Sequence, residues 1–257
     1  MIIQIRNCFK IRTIFFSWRG LLFRFTQYGL PYYLHLGISY IGLFILVILN
    51  SFTYEKHLYQ DFIIWPIFLL ISILGIIAGV APQRCLKVHR KNQTVTASLN
   101  ESMIFLGHHP TCDNFSSHVI KFGNEIFCGG CSGLVTGAII SVFGSILYLL
   151  LGRNIGISSS ILFWTGFSSV FIGLLQHGLS FNNSFLHFFL NLTFVLGTFF
   201  LLIGIDLQNS GFFPELYLLS LSIYWILTRI TLSKIVHDKI CSSCDLKCEI
   251  GSASVWN

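Results

Sequence analysis

Six uninterrupted apolar stretches dominate this chain and restrict it to the folds that a lipid bilayer allows. Crossing the hydrocarbon layer as a helix takes about 20 apolar residues. The stretches do not alternate between polar and apolar residues, so they predict helices and not the strands of a barrel. Only 10% of the 257 residues are charged, against roughly 25% in a soluble domain. We therefore expect an all-α polytopic membrane protein in a lipid bilayer. The predicted spans are Tyr32–Phe52, Phe62–Ala81, Gly133–Leu151, Ile161–Leu179, Phe185–Ile205 and Phe212–Leu232.

The polar segments around these spans divide the chain into five parts. Residues 1–30 interleave Arg and Lys with Phe, Trp and Leu and contain no uninterrupted apolar core. A cleaved signal peptide is therefore disfavoured, and a basic, aromatic helix on the membrane surface is expected. An unstructured basic leader is the alternative for residues 1–10. The other parts are 31–82 with two spans, 83–132 as a Cys/His-rich lobe, 133–235 with four spans, and 236–257 as a Cys-rich tail.

The distribution of positive charge predicts the orientation. Lys and Arg concentrate in the N-terminal segment, in the loop after the second span and at the C-terminal end, and such residues mark the cytoplasmic side. An even number of spans places both termini there. We expect a multi-pass protein of a prokaryotic plasma membrane, with the cysteines in a reducing compartment that disfavours structural disulfides. The formal net charge of +6 follows from this bias and from attraction to anionic lipid, so no nucleic-acid partner is expected.

The predicted cytoplasmic lobe ends in a pair of cysteines, Cys128 and Cys131, just before the third span. Apolar runs on both sides of Gly123-Asn124 are typical of a β-hairpin, in a register that pairs Val119 with Cys128. We interpret Gly129 and Gly130 as residues that let the backbone turn tightly between the two sulfurs.

The spacing of histidines and cysteines around this pair resembles that of a zinc ribbon or knuckle. The candidate ligands in the loop are His108, His109, Cys112, His118, Cys128 and Cys131, and the three histidines compete for the remaining positions. Buried or incidental thiols and a dithiol redox pair are the alternatives to metal binding. The positive end of the third helix favours a thiolate at Cys131, which helps metal binding and redox chemistry equally.

A second cysteine cluster, Cys241, Cys244 and Cys248, follows the last span. It needs a fourth ligand for a closed zinc site, which His237 or the loop could supply. An iron–sulfur cluster is less favoured because the spacing is not a familiar ferredoxin one. Palmitoylation of cysteines next to the membrane is the alternative.

Polar residues near the fourth and fifth spans form a third candidate group. Gln176, His177, His187 and Asn191 are predicted to lie at the level of the cysteine pair. One interpretation is a polar pocket at the cytoplasmic boundary, and the other is a set of ordinary interfacial residues.

The remaining polar and small residues of the spans are interpreted structurally. Gly133 and Gly137 give the third span a small-residue face for helix packing, within the subunit or in a homo-oligomer. Arg229 is expected to snorkel from the last span towards water, and Asp206 and Glu215 are expected in loops at the outer face.

The stretch from His108 to Gly137, with Phe127-Cys128-x-x-Cys131-Ser132-Gly133-x3-Gly137, resembles a family of small prokaryotic polytopic membrane proteins that carry a domain of unknown function. Gln176, Ser184 and Gly197 correspond to a later element of that family. The family has Arg and Thr where this chain has Gly130 and Ser132, and the chain is more similar to archaeal members. The resemblance implies a membrane location and a cytosolic Cys/His site, and it implies no reaction.

The sequence therefore favours an integral membrane protein with a cytoplasmic metal site, most simply structural zinc, in a transporter-like or scaffold role. The competing interpretation is a membrane-embedded metalloenzyme or a thiol-redox protein that uses Cys128 and Cys131. The supply of thiols favours a closed site with four protein ligands over an open, catalytic one.

Overall fold

In the computed structural model, the residues described are 29–52, 59–80, 119–122, 125–152, 156–178, 183–208 and 211–242. They form six helices and two short strands. All six helices are long and apolar enough to cross a membrane, which confirms the prediction of a polytopic helical protein. The elements are α1 (Leu30–Asn50), α2 (Gln60–Val80), β1 (Val119–Phe122), β2 (Glu125–Cys128), α3 (Gly129–Leu150), α4 (Ser159–Gly178), α5 (Ser184–Leu207) and α6 (Phe212–Ser242).

The outward faces of the helices are apolar, as expected of surfaces that meet lipid. Phe62 and Phe143 expose 78% and 70% of their surface, while Leu201, Leu202 and Ile205 of α5 expose none. α5 therefore lies at the centre of the bundle. In water such large exposed aromatic side chains would be an aggregation hazard, whereas in a bilayer they lie in their preferred solvent.

Small residues set the distance between α4 and α5. A Cβ added to Gly166 would lie 2.7 Å from the carbonyl oxygen of Gly197, and one added to Gly197 would lie 3.0 Å from that of Gly166. The two backbones are thus in direct contact. Larger side chains at Gly166 and Gly197 would push the two helices apart.

The small-residue face of α3 packs against α5 of the same chain. A Cβ added to Gly133 would lie 2.1 Å from the carbonyl oxygen of Phe188, and one added to Gly137 would lie 2.9 Å from Cβ of Val195. The expected helix interface is therefore internal. A second copy of the chain cannot use the Gly133/Gly137 face, because α5 already fills it.

The strands β1 and β2 pair antiparallel directly before α3. Val119 lies opposite Cys128 and Phe122 opposite Glu125, which is the register that the Gly-Asn turn predicts. The rest of the predicted lobe, residues 83–118, lies outside the described residues, so the lobe itself stays a prediction. The same holds for residues 1–28 and for the tail after Ser242.

Asp206 and Glu215 are buried in helices at the end of the bundle away from the strands, so their assignment to loops was wrong. Each exposes only 2% of its surface. The Tyr148 hydroxyl donates to Oδ2 of Asp206 at 2.8 Å, and Nε2 of Gln60 donates to Oε2 of Glu215 at 2.7 Å. These hydrogen bonds compensate the carboxyl groups for the loss of water.

Candidate functional site

The cysteine pair lies where β2 passes directly into α3. The helix begins at Gly129, earlier than the predicted span, with Cys128 as its N-cap residue. Cys131 consequently lies in the first helical turn and not before the helix. Both sulfurs are free thiols and both residues are largely buried. Thiol–disulfide oxidoreductases use the same arrangement, in which two cysteines lie one turn apart at a helix N-terminus.

Gly129 and Gly130 are present for close approach and not for a tight turn. Both are helical, and neither is among the described glycines with positive φ. A Cβ added to Gly129 would lie 2.5 Å from the carbonyl oxygen of Ser184. A Cβ added to Gly130 would lie 3.2 Å from Nδ2 of Asn191 and 3.4 Å from Nη2 of Arg229. The glycines thus allow α5 and α6 to reach the cysteine pair.

Arg229 of α6 points into the bundle and contacts this site, so the expectation that it snorkels to water was wrong. Its Nη2 donates to the carbonyl oxygen of Gly130 at 3.1 Å, and its charge interacts with the sulfurs of Cys131 and Cys128. Arg229 is partly buried, and withdrawing its charge from water is costly unless a negative group compensates it. The Cys128 thiolate is the compensating group that the described residues offer.

Several groups stabilise the thiolate of Cys128. The pKa of Cys128 is lowered to about 6, mainly by a hydrogen bond from the Cys131 thiol. The backbone amides of Cys131 and Gly130 and the charge of Arg229 also lower it, whereas burial of the sulfur raises it. The sulfur makes no N-cap hydrogen bond of standard geometry, so the amides act mainly through their dipoles. These neighbours favour the thiolate of Cys128 over its thiol.

Two amide side chains connect the site to α4 and α5. Nε2 of Gln176 donates to Oδ1 of Asn191 at 2.9 Å, and Nδ2 of Asn191 donates to the carbonyl oxygen of His187 at 2.6 Å. Gln176 and Asn191 are buried, and α5 begins at an N-cap Asn183 whose side chain accepts from the amide of Phe185. The hydrogen bonds fix Asn191 next to Gly130 and therefore next to Arg229.

The other predicted ligands cannot be placed. His108, His109, Cys112, His118, Cys244 and Cys248 lie outside the described residues, while Cys241 and His177 lie in α6 and α4 with side chains that are not described. Among the described residues, no group of three or more His, Cys, Asp and Glu side chains is arranged to hold a metal ion. The metal site therefore stays a prediction.

A cavity of about 390 Å³ lies at the other end of the bundle. No titratable side chain is among the residues that line it: Val47, Asn50, Ser51, Phe52, Phe163, Trp164 and Gln208. The described cysteine side chains, which are the nucleophilic groups, and the Arg229 guanidinium are at the cysteine end. We therefore place the candidate site there.

Sequence reasoning missed Arg229, although a signal was present. Arg229 lies inside the membrane-spanning part of α6, which runs from Phe212 to Ser233. An ionisable residue within a span is by default a functional candidate, because its burial in lipid is expensive. Nearness to the end of the span made snorkelling equally acceptable from sequence alone.

Comparison with known proteins adds no assignment: no family model, curated protein or solved structure matches this chain. What the site does has to be argued from its geometry.

Proposed function

We propose that this protein is a membrane-embedded thiol–disulfide exchange protein whose reactive pair is Cys128 and Cys131. The observation that carries the proposal is the placement of two free thiols at the start of α3, Cys128 as N-cap and Cys131 in the first turn, with Arg229 bonded to the Gly130 carbonyl between them. A thiol becomes a nucleophile as the thiolate, and the surroundings of Cys128 stabilise that form. The adjacent Cys131 is placed as the resolving thiol.

The exchange balances with a disulfide of a second molecule as the oxidant. The Cys128 thiolate attacks one sulfur of that disulfide, forms a mixed disulfide and releases the first thiolate. Cys131 then gives up its proton and attacks the Cys128 sulfur, which closes the Cys128–Cys131 disulfide and releases the second thiolate. Two electrons pass from the cysteine pair to the partner, and the same steps reversed reduce a partner disulfide.

Equilibration with glutathione buffers of graded redox potential tests this function. After acid quenching and alkylation, mass spectrometry of the peptide that contains Cys128 and Cys131 reports the fraction of internal disulfide. We expect one two-electron transition, at a more oxidising potential than that of Arg229→Met, because Arg229 stabilises the reduced, thiolate form. Cys128→Ser or Cys131→Ser should abolish it. Absence of an internal disulfide at every potential would rule out the proposal.

A metal site built on the same pair is the second candidate. Its support is the pairing of Val119 with Cys128, since the Cys/His-rich segment thereby enters the hairpin beside the cysteine pair. In this reading zinc, or less readily an iron–sulfur cluster, closes a structural site in a transporter-like or scaffold protein. Elemental analysis of protein purified under reducing conditions tests it. Stoichiometric metal that disappears in Cys128→Ser and Cys131→Ser supports it, and metal-free protein argues against it.

The cysteine end of the bundle is assigned to the cytoplasm of a prokaryotic cell. The support is the excess of Lys and Arg in the segments that adjoin this end and the rule that such residues stay on the cytoplasmic side. In that reducing compartment the pair rests as thiol and thiolate, ready to reduce a partner disulfide.

A further inference from the structure

Three buried hydrogen-bond donors on α6 have no partner among the described residues. Only one of them, on Arg229, takes part in the proposed thiol chemistry. They are Nε1 of Trp225, Oγ1 of Thr228 and Nη1 of Arg229. Trp225 and Thr228 expose only 1% and 2% of their surface, so water from outside does not reach them. A buried polar group without a partner is rare in native proteins and calls for an ordered water or an ion.

The three groups share one face of α6. Positions 225, 228 and 229 are separated by three and four residues, which brings side chains together on one side of a helix. The Trp225 ring packs edge-on against Phe194 of α5, with 5.6 Å between centroids, and Arg229 reaches Gly130 of α3. The donors therefore lie on the side of α6 that packs against α5 and α3, behind the cysteine pair.

The hydrogen-bonding properties of these three unpartnered groups indicate what kind of ligand they bind. An indole N–H and a guanidinium N–H can only donate, and Arg229 adds a positive charge. We infer that Trp225, Thr228 and Arg229 form a binding site for a small inorganic anion of halide size. The near-complete burial of Trp225 and Thr228 favours a single small ion over an organic molecule. A water molecule could satisfy these donors, but it would supply no negative charge to oppose that of Arg229.

The charge of Arg229 supports the same conclusion. Its Nη2 is committed to the Gly130 carbonyl, which leaves Nη1 available. The described acidic side chains lie at the other end of the bundle, and Glu215, on the same helix, is about 21 Å away along the axis. Whenever Cys128 is uncharged, no acidic side chain whose position the structure describes opposes the charge of Arg229. A bound anion then provides it, and an unpaired buried cation is strongly disfavoured.

Chloride-dependent stabilisation tests the site independently of the thiol chemistry. The full-length Cys128→Ser variant, which has no thiolate at this position, is heated in sodium chloride and in sodium gluconate at the same ionic strength. A ligand that binds the folded state raises the unfolding midpoint with a saturable concentration dependence. We expect such a rise in chloride and not in gluconate.

Matched variants in the same background identify the donors. Thr228→Val keeps the shape and removes the hydroxyl, so it should weaken the apparent chloride affinity about tenfold, and Arg229→Met should abolish the effect. Thr198→Val is the control, because the Thr198 hydroxyl already donates to the Phe194 carbonyl, and its chloride response should be unchanged. Identical curves in chloride and gluconate, or equal responses of Thr228→Val and Thr198→Val, would overturn the inference. Neither result would bear on disulfide formation by the wild-type protein.

Discussion

At the scale of single residues, the site depends on one sulfur whose ionisation several neighbours control. The hydrogen bond from Cys131 contributes most to the lowered pKa of Cys128, and Arg229 contributes less. Because the pKa in the folded protein is below that in the unfolded chain, the thiolate stabilises the fold fully above about pH 8.5. That contribution is lost as the pH falls through about 6.

Alkylation of Cys128 by iodoacetamide should follow this ionisation. We expect the rate to rise with pH with a midpoint near 6, since the thiolate is the reactive form. Cys131→Ala removes the main donor and should move the midpoint towards the ordinary thiol value of about 8.5. Cys131→Ser retains a hydroxyl donor and should keep most of the shift. Peptide mass spectrometry at graded pH measures the rate, and a midpoint unaffected by Cys131→Ala would contradict this account.

Arg229→Met should raise the pKa of Cys128 by less than Cys131→Ala does, because the charge of Arg229 is one of the smaller causes. Arg229→Lys keeps a positive charge but loses the planar fork that reaches the Gly130 carbonyl, so its midpoint should fall between those of the wild type and Arg229→Met. The same alkylation assay compares the three proteins. Equal midpoints would show that Arg229 does not act on the sulfur.

At the scale of helices and strands, backbone contact holds the site together. α3 can carry the cysteine pair against α5 because glycines occupy the contact positions from Gly129 to Gly137. Gly166 and Gly197 do the same between α4 and α5. Close approach increases dispersion contacts, which drive helix association where lipid removes the hydrophobic advantage.

Gly133→Ala should destabilise the bundle by about 1–3 kcal/mol, because its methyl group would overlap the Phe188 backbone and force α3 from α5. Gly75→Ala is the matched control. An added Cβ at Gly75 meets nothing within 4 Å, and alanine favours the helix more than glycine. Thermal unfolding in one detergent compares the two variants. A Gly133→Ala midpoint equal to that of Gly75→Ala would show that α3 and α5 are less closely packed than described.

Tyr148→Phe should cost about 1–3 kcal/mol, because it removes the hydroxyl that donates to the buried Asp206 carboxylate. The distance of 2.8 Å and the 2% exposure of Asp206 make this a buried interaction. Tyr59→Phe is the control, since Tyr59 is 72% exposed, and its unfolding midpoint should not change. An equally small effect of both substitutions would mean that Asp206 does not depend on this donor.

At the scale of the whole molecule, the two ends of the bundle differ in chemistry. The cysteine end carries Cys128, Cys131 and Arg229, and the other end carries the buried carboxyl groups of Asp206 and Glu215. A membrane gives each end a separate compartment, so orientation decides which partners the thiols meet.

Thiol labelling tests the proposed orientation. A maleimide that does not cross membranes should leave Cys241 and Cys244 unlabelled in intact spheroplasts and label them after permeabilisation. Ser51→Cys is the positive control, because Ser51 is exposed just after α1 at the other end of the bundle, and it should be labelled without permeabilisation. Labelling of Cys241 in intact spheroplasts, with Ser51→Cys protected, would reverse the orientation.

The sequence by itself determined the six helices and the pairing of Val119 with Cys128. Helix existence in a membrane follows from the length of apolar stretches, and hairpin register follows from the turn, so both depend on neighbouring residues alone. The helix start at Gly129 was placed too late because glycines carry little hydropathy and are poor helix formers.

Only the tertiary structure decided which way the polar side chains of the spans point. Arg229, near the end of the membrane-spanning part of α6, could face water or the bundle. The rotation of α6 about its axis, set by packing on its neighbours, turned it towards Gly130. The same reason applies to Asp206, whose partner Tyr148 is on another helix, and to Gly129 and Gly130, whose lack of side chains matters because α5 and α6 lie against them. These contacts join residues far apart in the chain, and no local pattern encodes them.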